Sequence, residues 1–178
     1  MVDIMVDLET TGTQPEHTNI IQISAVKFDL RAGTVDPNVF DMCLYPTSTR
    51  FWDEDTRQWW STKPELLDKI YSRMVPARFV LEKFAAWVGF IETPTLWAKP
   101  SSFELPFLQS YYKEHELQCP FHFRNVMDQN TFIKARHYPD APPAYEKDIE
   151  FEGEAHYALD DVFHQLKVVS ACYEATRK

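Results

Sequence analysis

At 178 residues the chain is long enough for one sizeable core and short for two, so a single domain over residues 1–178 is expected. Its hydrophobic fraction of 44% is ordinary for a globular protein, and no run approaches the roughly 18 apolar residues of a membrane helix; with no signal-peptide pattern at the start, a cytoplasmic location is expected. The net charge of −9 argues against tight nonspecific binding to nucleic acid, which phosphate neutralisation drives, although a carboxylate metal site leaves the same acidic total when its metal goes uncounted.

The apolar run Val2 to Leu8 predicts an opening strand, and it ends in Asp7, Glu9, Thr10, Thr11 and Gly12. Alternate side chains of a strand share a face, which sets Asp7 and Glu9 on one side about 7 Å apart. Two acids held so close repel unless a cation compensates them, and oxygen-only ligands suit Mg²⁺ or Mn²⁺. Alone, Asp-x-Glu is a common surface pattern.

Residues 13–19 read as a loop, Ile20 to Leu30 as a second strand, residues 31–34 as a turn and Val39 to Tyr45 as a third strand. Short connections between these three predict an antiparallel meander. From Trp52 the pattern turns helical, with acids at positions 53–55 favouring a helix start and Pro64 acceptable in a first turn. Val80, Phe84, Trp87, Val88 and Ile91 recur at helical spacing, so a helix is expected over Pro76 to Ile91, lying on the sheet. Thr95 to Ala98 reads as a buried strand, Phe103 to His115 as a helix, Phe123 to Met127 as a strand and Asp128 to His137 as a helix. Tyr138 to Gly153, with three prolines and five acids, reads as a long surface loop serving as a lid or a solvated insert.

Tyr157 to Ala175 reads as a helix and carries two stripes at three-four spacing, the first apolar and the second of smaller residues. One is Leu159, Val162, Phe163, Leu166, Val169 and Tyr173; the other is Ala158, Asp161, Gln165, Val168, Cys172 and Ala175, so both sides are expected to pack. Asp161 stands out as an acid among small apolar neighbours, and His156 falls five residues before it, at the junction of loop and helix.

Three strings, Asp7-Leu8-Glu9-Thr10-Thr11-Gly12, Phe103-Glu104-Leu105-Pro106-Phe107-Leu108 and His156-Tyr157-Ala158-Leu159-Asp160-Asp161, occur in that order over nearly the whole chain. Together they resemble the DEDDh class of 3′→5′ exonucleases, relatives of ribonuclease T and of the polymerase III epsilon proofreading subunit. The segments Thr56-Arg57-Gln58-Trp59-Trp60 and Trp97-Ala98-Lys99-Pro100 look most like the compact phage DexA-type and ribonuclease AS-type enzymes. The resemblance implies a ribonuclease H-like α/β fold: a central mixed sheet whose first three strands are antiparallel, with helices on both sides. It implies further that Asp7 bridges two divalent ions, Mg²⁺ or Mn²⁺, that Glu9 and Asp161 complete one of them, and that His156 is the general base. Thr10 and Thr11 would hold the terminal nucleotide, while Leu8 and Phe107 would wedge or stack against bases, although a place in the core is the commoner role of either residue type.

The implied chemistry has independent physical logic: paired divalent ions lower the pKa of a water and stabilise a departing 3′-oxygen, and a neutral imidazole takes the water's proton. Glu104 departs from the pattern, which has Asp after the Phe of its second motif, and Lys99-Pro100-Ser101-Ser102 stands where the motif usually opens with Asn. The expected activity is hydrolysis of single-stranded DNA or RNA 3′ ends to 5′-mononucleotides; the residues leave the oligomeric state open, and a homodimer is what the resemblance offers, since relatives of this class are often dimers. The rival is a catalytically weak protein that binds the same ends.

Other candidates have plainer readings. Asp128 is expected to cap a helix, Asp160 to be solvated, and His17, His115, His122, His137 and His164 to lie at the surface. Trp59 and Trp60 would stack on bases or else belong to the core or a dimer contact. Cys43, Cys119 and Cys172, odd in number and at no metal-ligand spacing, argue against a disulfide framework and structural zinc.

Overall fold

In the computed structural model, residues 2–89 and 93–177 are described. Strand β1 (Asp3–Thr10) is central. It pairs antiparallel with β2 (Ile20–Asp29), which pairs antiparallel with the two-residue β3 (Thr34–Val35) and with β4 (Phe40–Leu44). On the far side of β4, β5 (Met74–Val75) runs parallel; on the other side of β1, β6 (Thr95–Ala98) and β7 (Val126–Asp128) are added in parallel. The order across the mixed sheet is β5-β4-β2-β1-β6-β7. This is the expected ribonuclease H-like arrangement, with the antiparallel meander at its start.

Helices cover both faces, so β1 and β2 are buried on each side and carry near-continuous apolar runs. Ile4, Val6 and Leu8 of β1 pack with helices α3 (Ala77–Val88) and α4 (Ser101–Glu114), through Val80, Phe84, Phe107 and Tyr111. Met5, on the opposite face, packs under α7 (Ala158–Thr176) against Val162, Leu166 and Val169. Burial of each such side chain is worth about 1.5–3 kcal/mol. Helices α1 (Glu54–Ser61) and α2 (Pro64–Tyr71) close the same face further along with Trp60, Leu66 and Ile70. Both stripes of α7 are covered as expected: Ala158, Gln165, Val168 and Cys172 of the second are buried, the last two against Ile133 of α5 (Gln129–His137). Phe163 and Ala175 are the exceptions and are exposed.

Several boundaries differ from the sequence expectation for local reasons. Phe123 lies outside β7 and is exposed, because residues 122–125 form a turn closed by the Asn125 N–H on His122 O at 2.9 Å. The predicted loop 138–153 contains a short helix, α6 (Tyr145–Asp148), and is docked on the body. Glu146 meets Lys99 at 2.7 Å and accepts from Gln129 at 3.1 Å, and Glu152 meets Lys167 at 2.7 Å, so some of its acids are matched by lysines. Helix α3 ends with Gly89 at its C-cap, and Ile91 of the expected helix lies outside the described residues. Asp53 and Asp128 cap α1 and α5 through the backbone N–H groups of Thr56 and Thr131. The three cysteines are free thiols. Among the described residues no helix is long and apolar enough to cross a membrane.

Candidate active site

Strand parity builds the site. Met5 lies under α7, so Asp7 and Glu9, two and four residues on, face the same helix at the C-terminal end of β1. The parallel neighbour β6 ends at that same edge and delivers α4, whose first turn carries Glu104. From above, α7 presents Asp161 in its own first turn. Ligand oxygens of Asp7, Glu9 and Asp161 lie within 4.8 Å of one another, the one such group among the described residues. Glu9 and Glu104 are 9% and 3% exposed, whereas Asp7 and Asp161 keep more surface open.

The electrostatics of this cluster are unfavourable by themselves. Burial pushes Asp7 up to about 8, and the charge of Asp161 adds to the shift, against the opposing donor Gln165 and the cation Lys99. Burial, then Asp7 and Asp161, hold Glu9 well above the carboxylate range, with Lys63 opposing. Glu104 is pushed to about 9 by burial and then by Asp7. Asp161 is raised by burial as well, despite accepting the His156 N–H. Oε2 of Glu104 is buried without a hydrogen-bond partner among the described residues. Three converging carboxylates, with Glu104 and its orphaned oxygen coupled electrostatically to Asp7, form an all-oxygen donor set that fits hard divalent cations.

Two contacts hold the acids in place. Nε2 of Gln165, one turn after Asp161, donates to Oδ1 of Asp7 at 2.7 Å. The backbone N–H of His156 donates to Oδ2 of Asp161 at 2.7 Å. His156 is exposed and has φ +69°, and its ring packs edge-on against Trp59, with centroids 4.8 Å apart. Trp59 in turn packs edge-on against Trp60, which is buried and donates from Nε1 to the carbonyl of Thr10 at 3.0 Å. The tryptophan pair thus divides its roles: Trp60 anchors the first motif from within the core, and Trp59 supports the histidine from the surface. Next to His156, the Tyr157 hydroxyl bonds Asp41 Oδ2 at 3.1 Å and meets Arg73, tying the start of α7 to β4.

The residues expected to contact the terminal nucleotide or its bases are all buried or nearly so. Leu8 and Phe107 are 6% and 0% exposed and belong to the core under α3 and α4, the commoner role of either residue type, because β1 is covered on both faces. Thr11 is fully buried, its hydroxyl donating to Phe51 O and accepting from the Asn19 N–H. Thr10 donates its hydroxyl to Gly12 O at 2.7 Å, which shapes the turn after the strand. Gly12 is required there by close approach, since a Cβ would stand 2.4 Å from Cγ2 of Thr18. Asp128 caps α5 as expected and also accepts from the Ser101 N–H at 3.1 Å, so it holds two helix starts together. Asp160, expected to be solvated, accepts from the Glu154 N–H at 2.8 Å and closes the turn at Gly153. His164 is half-buried against Phe151, its Nδ1 without a partner among the described residues.

Sequence reasoning placed Gln165 on the correct stripe and missed its partner, and it read Lys99 within motif segments without a part in the site. Only the i, i+4 spacing of Asp161 and Gln165 on one helical face could have signalled the amide. An apolar groove of about 580 Å³ lies between α4 and α5, lined by Leu105, Pro106, Phe123, Val126 and Phe132, and includes none of the four acids.

Comparison with known proteins agrees with this fold. Among solved structures, the chain resembles cell-death related nuclease 4 (CRN-4), with a TM-score of 0.73 and 18% identity over 98% of this chain and 64% of that one. It also resembles the nuclease domain of 3′hExo, a DEDDh family member, bound to rAMP: TM-score 0.70, 16% identity, 98% of this chain and 92% of that one. A third is E. coli exonuclease I in complex with a dT13 oligonucleotide, with a TM-score of 0.74, 12% identity and coverage of 97% and 41%. The chain thus spans under two thirds of the first and about two fifths of the third, and at these identities the likeness is one of fold. No curated protein matches the chain. Residues 2–173, nearly its whole length, match the family described as 3′-5′ exoribonuclease Rv2179c-like domain, and the chain belongs to that family and carries a 3′-5′ exonuclease domain.

Proposed function

We propose that this protein is a metal-dependent 3′→5′ exoribonuclease that removes 5′-mononucleotides from single-stranded RNA ends. The observation that carries the reading is the convergence of Asp7, Glu9 and Asp161 within 4.8 Å, with Glu104, whose buried oxygen has no partner among the described residues, coupled electrostatically to Asp7. Asp7, Glu9, Glu104 and Asp161 would hold two divalent cations, Mg²⁺ or Mn²⁺, whose chemistry when bound is to acidify the attacking water and stabilise the leaving 3′-oxygen. His156 is the general base: it is exposed at the edge of the cluster, tied to it through its own backbone, and its ring is held by Trp59 without being locked. Lys63 and Lys99 flank the acids and offset part of the repulsion between them and a phosphate backbone.

RNA is preferred over DNA as the substrate because the family description names an exoribonuclease. A reducing compartment such as the cytoplasm suits three free thiols, and a homodimer is proposed on the resemblance. Incubation of 5′-labelled RNA with Mn²⁺ tests the function. A ladder that shortens from the 3′ end, with a circular RNA left intact, supports it, and a matched DNA tests the sugar preference. Binding of RNA ends without cleavage would favour the inert relative that Glu104 keeps open.

A further inference from the structure

Gln165 is a buried amide that fold stability alone does not explain. It is 6% exposed and stands between Ala158 and Asp161 on one side and Val168 and Cys172 on the other, in the stripe that α7 packs against the body. Nε2 gives its hydrogen bond to Oδ1 of Asp7 at 2.7 Å, while Oε1 is buried with no partner among the described residues. An amide satisfied at one end only costs free energy that an apolar side chain of the same shape avoids. Leucine at this position would fill the space at no such cost.

The contact is selective in its chemistry. A carboxylate that binds a cation is ionised and only accepts hydrogen bonds, so in the metal-binding state the NH₂ end of an amide is the end that can face Asp7. With Oδ1 engaged by Gln165, the carboxylate cannot rotate freely, and its remaining lone pairs stay directed toward the cluster that contains Glu9 and Asp161. Gln165 and Asp161 lie four residues apart on one helical face, so a single rigid element supplies both an acid of the cluster and the donor that orients another acid of it. Groups that orient metal ligands in this way are typically worth about 10–100-fold in metal affinity.

We propose that Gln165 is a positioning residue that fixes the Asp7 carboxylate for cation binding and is retained for that purpose at the expense of fold stability. The proposal rests on the metal-dependent reading of the site given above.

Mn²⁺ binding to the full chain, followed by the EPR signal of free Mn²⁺ and beside it the melting temperature of the metal-free protein, tests it. Gln165→Leu is expected to weaken Mn²⁺ binding by about 10–100-fold, with the metal-free melting temperature equal to the parent's or higher. Gln165→Met, which fills the same volume more flexibly, should do the same and serves if the leucine variant folds poorly. Mn²⁺ affinity within twofold of the parent's, with a lowered melting temperature, would make the amide a structural group and overturn the proposal. A parent that binds Mn²⁺ through Asp7, as loss of binding in Asp7→Asn would establish, but does not cleave RNA would overturn the exonuclease reading and leave this inference intact.

Discussion

The backbone N–H of His156 donates to Oδ2 of Asp161 at 2.7 Å, so the proposed base and the last acid of the site are set by one turn of chain. The bond belongs to the main chain, and removing the imidazole leaves it in place. His156→Ala is therefore expected to lose about 10²–10⁴-fold in rate while keeping the parent's Mn²⁺ affinity. Single-turnover RNA cleavage beside calorimetric Mn²⁺ titration checks this. Loss of metal binding would make the imidazole a ligand.

Glu104 separates an active enzyme from an inert binder. In the proposed site its buried, unpartnered oxygen serves a cation, so Glu104→Ala should remove most activity, whereas Glu104→Asp should retain part of it or exceed the parent. Initial rates of the three proteins on one labelled RNA in Mg²⁺ and in Mn²⁺ decide between the readings. An unchanged rate in the alanine variant would remove Glu104 from the site.

Without metal, the cluster should make the fold less stable as pH rises. Asp7 titrates near 8 and Glu104 near 9 in the folded protein, while Glu9 and Asp161 are raised, against ordinary carboxylate values in the unfolded chain. Between those limits the native state holds protons that the unfolded state has released, so stability declines with increasing pH across that window. The facing cations Lys63 and Lys99, and His156 and His164 beside Asp161, reduce this slope without reversing it. Thermal melts in chelator are expected to show a lower melting temperature at pH 9 than at pH 6, and Asp7→Asn should flatten the difference. A metal-free protein equally stable at both values would contradict the electrostatic account.

Gly153 has φ +103°, and a Cβ there would stand 2.5 Å from the carboxyl of Asp160, which closes the turn before His156. Gly153→Ala should cost about 1–3 kcal/mol of stability by strain at that turn. It should also reduce the rate by more than it reduces Mn²⁺ affinity. Denaturant unfolding, Mn²⁺ titration and single-turnover RNA cleavage with the same preparation check both parts.

The sequence made some of this site readable and hid the rest for identifiable reasons. Asp7 and Glu9 were legible because strand periodicity puts them on one face, and Asp161 because an acid in a small-residue helical stripe is conspicuous. The parts assigned to Glu104 and His156 came from resemblance, since no local rule brings residues 104 and 156 to the end of β1. Gln165 and Asp7 are 158 positions apart, and their contact depends on how α7 crosses the sheet. Leu8 and Phe107 lie in the core, the commoner of the two roles read for them, because helices cover both faces of β1, and the burial of Thr11 was not legible because its hydroxyl bonds to segments distant in sequence. The fold itself was legible as far as apolar runs and turn residues reach, and its errors, such as Phe123, sit where a short turn overrides composition.

The central claim, that a carboxylate cluster nucleated by Asp7 drives removal of nucleotides from RNA 3′ ends, is tested most directly by one comparison. Parent and Asp7→Asn proteins are incubated with 5′-labelled single-stranded RNA in Mn²⁺, and the products are resolved by length over time. The account predicts a ladder shortening from the 3′ end with the parent and intact RNA with a folded Asp7→Asn protein. Cleavage by the Asp7→Asn protein at a rate near the parent's would contradict it.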